Sequence, residues 1–227
     1  MQQLYLVQQL NLGLKPLSGA AFELLSNEFR PLILDTRSPE SFAKGFIQSS
    51  INIRLDNNLA MWIEELIPDI KQENLLVTEN VAEKESIIRL SRVGYYCAIG
   101  YLDEGFDAWK SEGKEVDHVD RISAEEFSNH LKNGAKVFDV RKASEFASQH
   151  VEGANNTPLG TINDYLAEFP KDEPFILHCA GGYRSMIASS ILKQRGWDNF
   201  VDVVGGFDAI KNTDVAVTDY VCPTTLL

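Results

Sequence analysis

The residues best able to do chemistry in this chain stand in one short run, His178-Cys179-Ala180-Gly181-Gly182-Tyr183-Arg184-Ser185. It follows an apolar stretch, Phe175 to His178, that reads as a buried strand. It precedes a stretch from Ser185 to Arg195 that reads as a helix stopped by Gly196. A cysteine between a strand end and a helix start meets unpaired backbone N–H groups and the positive end of the helix dipole, and both favour negative charge on sulfur. Gly181 and Gly182 let the backbone bend until successive N–H groups converge into an anion-binding nest. Arg184 adds a fixed cation whose planar fork suits an oxyanion. The run therefore offers a nucleophilic sulfur inside a cradle for a small anion, or for its own charged adduct. An isolated strand cysteine is most often a small buried apolar residue, but here the glycine pair, the arginine and the helix start all accompany it.

The elements that must hold this run occur twice. DTRSPESFAKGFIQSSIN from Asp35 returns as DVRKASEFASQHVEGANN from Asp139, 104 residues on, and EGFDAW from Glu104 answers GGFDAI from Gly205, 101 residues on. Similar motifs in the same order mean two copies of one domain, with a period far too long for a solenoid. We expect an N-terminal extension over 1–16, a first copy over 17–115 and a second over 116–227, joined by the polar stretch Ser111 to Asp120. In the second copy KVFD (136–139), FILH (175–178) and FVDVV (200–204) read as strands, with helices between them. Helix starts are visible at Ser123 with Glu126, a capping box, and at Ser38 followed by Pro39. The alternation predicts an α/β fold in which each copy is a mainly parallel sheet flanked by helices on both faces. Ligands of such sheets sit at the carboxyl ends of the strands, where Cys179 falls.

Composition excludes several classes. A chain of 227 residues with 44% hydrophobic and 24% charged residues is neither disordered nor fibrous. The net charge of −12 is spread evenly, with 11 basic and 17 acidic residues up to Glu115 and 10 and 16 after it. Such a surface repels phosphate backbones and anionic lipid, so neither nucleic acid nor membrane is an expected partner. The sequence has no signal-peptide pattern and no apolar run of membrane-spanning length. Cys97, Cys179 and Cys222 are too few and too scattered for a disulfide framework, and no cysteine or histidine spacing fits a metal site. The expected setting is the reducing cytoplasm.

On these residues the second copy, DVR…EF…HVEGAN…HCAGGYRS…GGF, resembles a rhodanese domain, the sulfurtransferase fold. The resemblance implies that Cys179 accepts a sulfane sulfur from thiosulfate or another donor, carries it as a persulfide and yields it to a thiol, sulfite or cyanide. Ala180, Gly181, Gly182, Tyr183, Arg184 and Ser185 would line the substrate site. Asp139, Arg141, Glu145 and His150 match the family's scaffold positions, as structural support rather than chemistry. No cofactor is implied. Cysteine phosphatases of related fold carry C-x5-R, a wider loop for a tetrahedral phosphoryl group. The C-x4-R spacing from Cys179 to Arg184 favours sulfur transfer and leaves a phosphatase as the weaker alternative.

The first copy lacks the cysteine. Its equivalent run is LLVTENVAEKES (75–86), and counting from the strand puts Glu79 where Cys179 stands. With no glycine and with Glu79, Glu83 and Glu85 in the loop, this copy should bind neither thiosulfate nor a persulfide, which leaves a structural or recognition role. Cys97 is expected in the core, and Cys222 near a loose terminus. NLGLKPLS (11–18), LAMWIEELIP (59–68) and LLVTE extend the resemblance. They are similar to proteins in which a metallo-β-lactamase-fold persulfide dioxygenase precedes an inactive and then an active rhodanese domain. The H-x-H-x-D-H iron-binding motif of that dioxygenase does not occur here. Such a dioxygenase, as a domain or a separate protein, is thus an implied partner, and Leu4, Leu6, Val7 and Leu10 are either a remnant that once packed on it or a strand or helix packed on the first copy. The non-enzymatic alternative is a persulfide-sensing or docking module for that partner.

Overall fold

The computed structural model describes residues 13–222. The expectations for Leu4, Leu6, Val7 and Leu10 lie outside them. The chain divides into two compact units, one ending at His118 and the other starting at Val119. Residues 116–118 stay with the first because Asp117 and Phe46 exchange two backbone hydrogen bonds, of 2.8 and 3.0 Å.

In the first unit β1 (Pro16–Leu17), α1 (Gly19–Phe29), β2 (Leu32–Asp35), α2 (Pro39–Lys44), β3 (Ile51–Asn52), α3 (Leu59–Leu66), β4 (Asn74–Val77), α4 (Glu83–Arg92), β5 (Ala98–Leu102) and α5 (Gly105–Ser111) follow in order. The sheet order is β1-β5-β4-β2-β3, and every pairing is parallel. The second unit repeats the plan with β6 (Arg121–Ile122), α6 (Ala124–Lys132), β7 (Lys136–Asp139), α7 (Ala143–Ser148), β8 (Asn155–Asn156), a 3-10 segment (Leu159–Glu168), β9 (Phe175–His178), α8 (Tyr183–Gln194), β10 (Phe200–Val203) and α9 (Gly206–Ile210). Its order, β6-β10-β9-β7-β8, is the same and again wholly parallel.

The central strands β4 and β9 are buried at every residue, as parallel strands covered on both faces must be. In the second unit Val137 and Ile176 join Phe127, Phe207 and Ile210 on one face. The alternate residues Phe138 and Phe175 pack with Phe169 on the other, ring centroids 4.8 to 5.6 Å apart. In the first unit Ile33, Leu75 and Val77 meet Phe22 and Trp109, while Leu34 and Leu76 are buried on the opposite face.

Both expected helix starts form. Ser123 Oγ accepts the Glu126 N–H at 3.2 Å and the Ser123 N–H donates to Glu126 at 2.8 Å. Ser38 Oγ accepts the Ser41 N–H at 3.0 Å ahead of Pro39. Cys97 departs from expectation: it sits just before β5, half-buried, with its thiol 3.9 Å from the Ile70 carbonyl. The one-residue pleat that buries Ala98 and Gly100 turns Cys97 away from the sheet interior.

Candidate functional site

The ladder fixes how the two loops correspond. Asp139 pairs with His178 and Asp35 with Val77, and the residue after each strand-end aspartate, Val140 or Thr36, donates its N–H to the carbonyl of that partner. Cys179 therefore corresponds to Thr78, and Glu79 to Ala180, one residue from the expected match. β4 begins at Asn74, a polar residue that the apolar run does not reveal, so counting from that run starts one residue late. Glu79 instead accepts the Ser38 N–H and the Ser41 hydroxyl, at 3.3 and 3.1 Å, and so steadies the start of α2.

In the second unit Cys179 directly follows β9 and is 1% exposed. Its Sγ accepts the N–H of Gly182 at 3.1 Å. Gly182 is the N-cap of α8 and has φ of 99°, a left-handed conformation open to glycine, which turns that N–H back toward the sulfur. Ala180 and Gly181 form the outer part of the loop, the first half-buried and the second exposed, and Tyr183 is half-buried in the first turn of the helix. Ser185 is fully buried, and its hydroxyl has no hydrogen-bond partner among the described residues.

Arg184 is half-buried and held by Glu145, with Nη2 2.9 Å from Oε1 and Nη1 2.5 Å from Oε2. Those hydrogen bonds hold the guanidinium above its ordinary range against the effect of burial, and the nearby Cys179 and Asp139 add to this. The same bonds hold the Glu145 carboxyl below the usual carboxylate range. Glu145 is thus bound to the loop cation rather than being a remote support.

Asp139 and Arg141 form a buried pair, 2.6 Å between Oδ2 and Nη2, and Arg141 also donates to the Gln149 carbonyl at 2.9 Å. The Arg141 guanidinium lies 4.0 Å from the centroid of Phe207. The first unit repeats this in Asp35, Arg37 and Phe106, at 2.6 and 4.1 Å. The pair is thus common to the unit that has the cysteine and the unit that lacks it. His150 takes no part in the loop: its ring stacks on Phe146 at 3.8 Å, with Nδ1 2.7 Å from the Phe146 carbonyl.

Two contributors escaped the sequence reading, and a third, His178, was named in it without a role. The Phe207 N–H donates to the Cys179 carbonyl at 2.7 Å, and the Asp208 N–H to Ala180 at 2.9 Å, so the start of α9 fastens the loop. The Gly-Gly-Phe run that both copies share in part was the available signal. His178 is fully buried between Phe127 and Phe207, with Nδ1 3.1 Å from the Cys179 carbonyl. Burial pushes its imidazole below the ordinary histidine range, so the ring is neutral. Arg121 bonds Asp202 at 3.0 Å and brings Nη2 to 3.4 Å from where a Cβ would stand on Gly182, a second cation beside the loop.

Among the described residues no helix is long and apolar enough to cross a membrane, and no group of three or more His, Cys, Asp or Glu residues is arranged to hold a metal ion.

Thiosulfate sulfurtransferase GlpE of Pseudomonas aeruginosa is 29% identical over 102 residues, covering 45% of this chain and 93% of that protein. Protein HIGH ARSENIC CONTENT 1, mitochondrial, of Arabidopsis thaliana is 32% identical over 118 residues, covering 47% of this chain and 70% of that protein. The crystal structure of a rhodanese-like domain protein from Staphylococcus aureus is 31% identical, matching 44% of this chain and 100% of its own, with a TM-score of 0.41. A thiosulfate sulfurtransferase structure from Pseudomonas aeruginosa matches 92% of this chain at 19% identity and a TM-score of 0.41; the match spans 44% of that chain. The model of the rhodanese-like domain matches twice, over residues 20–112 and 123–213, one match to each unit, and the chain belongs to that family.

Proposed function

We propose that this protein is a sulfurtransferase whose second unit carries sulfane sulfur on Cys179. The observation that carries the reading is the Gly182 N–H donated to Cys179 Sγ at 3.1 Å, at the start of α8, with Arg184 two residues further on. The family, and relatives named thiosulfate sulfurtransferase, support it.

In the first half-reaction the Cys179 thiolate attacks the outer sulfur of thiosulfate. A new S–S bond forms to Cys179, the S–S bond of thiosulfate breaks, and sulfite leaves with the electron pair. The sulfur now carries a negative charge at the position that backbone N–H groups, the helix dipole and Arg184 favour. In the second half-reaction a thiol, sulfite or cyanide attacks the outer sulfur of the persulfide, and the electron pair of the breaking bond returns to Cys179 as thiolate. No metal or redox cofactor is needed to balance either step. A persulfide can replace thiosulfate as donor by the same exchange. The sequence resemblance along both copies supports persulfide metabolism as the setting, with a metallo-β-lactamase-fold persulfide dioxygenase as the partner.

Intact-mass spectrometry of the reduced chain after brief thiosulfate treatment, then after cyanide, tests the proposal. One added sulfur atom on Cys179, removed by cyanide with release of thiocyanate over many turnovers, is the expected result. Cys179→Ser should abolish both steps. Loading that occurs once without turnover, with every acceptor offered, would replace the enzyme by a persulfide sensor. Turnover in the Cys179→Ser variant would overturn the assignment of the residue.

A further inference from the structure

The first unit has lost the cysteine but keeps a cavity at the same place in the fold. It measures about 290 Å³ and opens where β2 and β4 end, with Thr78 and Phe106 buried in its lining. Four charged side chains line it from exposed positions: Lys44 at the end of α2, and Glu104, Asp107 and Lys110 at and along α5. None of the four makes an ion pair or side-chain hydrogen bond among the described residues. The other charged groups there are already engaged, Arg37 by Asp35 and the Gly45 carbonyl, and Glu79 by Ser38 and Ser41. The cavity thus presents two free cations and two free carboxylates.

Glu104 has a further peculiarity. Its counterpart in the second unit is Gly205, left-handed with φ of 75°. Glu104 holds the same left-handed conformation, φ of 55°, in spite of its Cβ. The first unit therefore places a charged side chain beside the cavity at a position where the second unit has glycine.

We propose that this cavity binds a small zwitterion of the amino-acid or short-peptide class, its carboxylate met by Lys44 and Lys110 and its ammonium by Glu104 and Asp107. A simple anion such as thiosulfate would leave the carboxylates facing it, and a simple cation would leave the lysines facing it, whereas a ligand with both charges satisfies each pair. The volume is ample for a ligand of dipeptide size. The proposal does not rest on sulfur transfer at Cys179.

Titration of the full isotope-labelled chain with glycylglycine, followed by backbone amide NMR, tests it. The amides of Thr78, Phe106 and Lys110 should shift saturably while those of the second unit stay in place. N-acetylglycylglycine and glycylglycinamide, each with one charge removed, should bind about tenfold or more weakly, the loss of one charge-assisted contact. Lys110→Ala should weaken glycylglycine but leave glycylglycinamide unchanged, since that ligand has no carboxylate to lose; Asp107→Asn should do the converse with N-acetylglycylglycine. Both positions are exposed, and circular dichroism checks that each variant is folded. Unmoved first-unit amides, or blocked dipeptides that bind as tightly as glycylglycine, would overturn the proposal.

Discussion

Gly206→Ala should damage the cysteine loop more than any ordinary glycine substitution, and the structure sets the size of the effect. Gly206 has φ of 53°, and a Cβ there would stand 2.5 Å from the Cys179 carbonyl oxygen and 2.6 Å from that of Ala180. Both neighbours are backbone, so the loop or the start of α9 must move by about 1 Å to reach ordinary contact. That movement breaks the hydrogen bonds from Phe207 to Cys179 and from Asp208 to Ala180, 2.7 and 2.9 Å long. The left-handed alanine costs about 1–2 kcal/mol, the two hydrogen bonds about 1 kcal/mol each, and the stiffer unfolded chain offsets up to about 1 kcal/mol of this. The net loss is about 2–4 kcal/mol. Gly153→Ala is the control, since Gly153 is also left-handed, with φ of 79°, but a Cβ there meets nothing within 4 Å. It should cost only about 1 kcal/mol. Urea unfolding followed by peptide-resolved hydrogen exchange across β9 measures both variants, and the rate of Cys179 alkylation by iodoacetamide reports the loop. Gly206→Ala should lower the stability of the second unit by at least about 1 kcal/mol more than the control and change the alkylation rate. Equal losses and an unchanged alkylation rate would refute the claim that α9 holds the cysteine loop in place.

Thr78→Cys in a Cys179→Ser background should restore no sulfur transfer, because the first loop surrounds that position with Glu79 and lacks the glycine whose N–H faces the sulfur; thiocyanate release measures this. Glu145→Gln keeps an acceptor for Arg184 but removes a negative charge beside it, so the KM for thiosulfate should fall by about twofold to fivefold, and steady-state kinetics would contradict the reasoning if it rose. His178 stays neutral in the folded chain, whereas the unfolded chain takes up a proton near pH 6.5. Stability should therefore fall as pH drops below about 6.5, by up to about 1.4 kcal/mol per unit until the depressed folded value is reached, and urea unfolding should find that component absent in His178→Phe.

The repeat, the α/β alternation and the cysteine loop were legible because each is carried by residues adjacent in sequence: apolar runs, caps, and the Cys-Ala-Gly-Gly-Tyr-Arg string. What fastens that loop was not legible, because it comes from β6, which lies beyond β10 from β9 in the sheet, and from α9, which follows β10. Arg121 lies more than fifty residues before Cys179, in a strand of two residues too short to show any period. The match of Glu79 to Cys179 failed for a related reason: burial and ladder pairing set where a strand starts, and Asn74 is buried and paired although polar. The roles within the Asp-Arg repeat separated only in three dimensions. Asp35–Arg37 and Asp139–Arg141 have the same pair distance and nearly the same aromatic stacking in a unit with the cysteine and in one without it. Asn52 and Asn156 likewise donate to the carbonyls of Asp35 and Arg37, and of Asp139 and Arg141. Duplication thus acts as an internal control: what both units share holds the strand ends, and what only the second has, Cys179, Gly182, Arg184 with Glu145, and His178, is the set on which the proposed sulfur transfer rests.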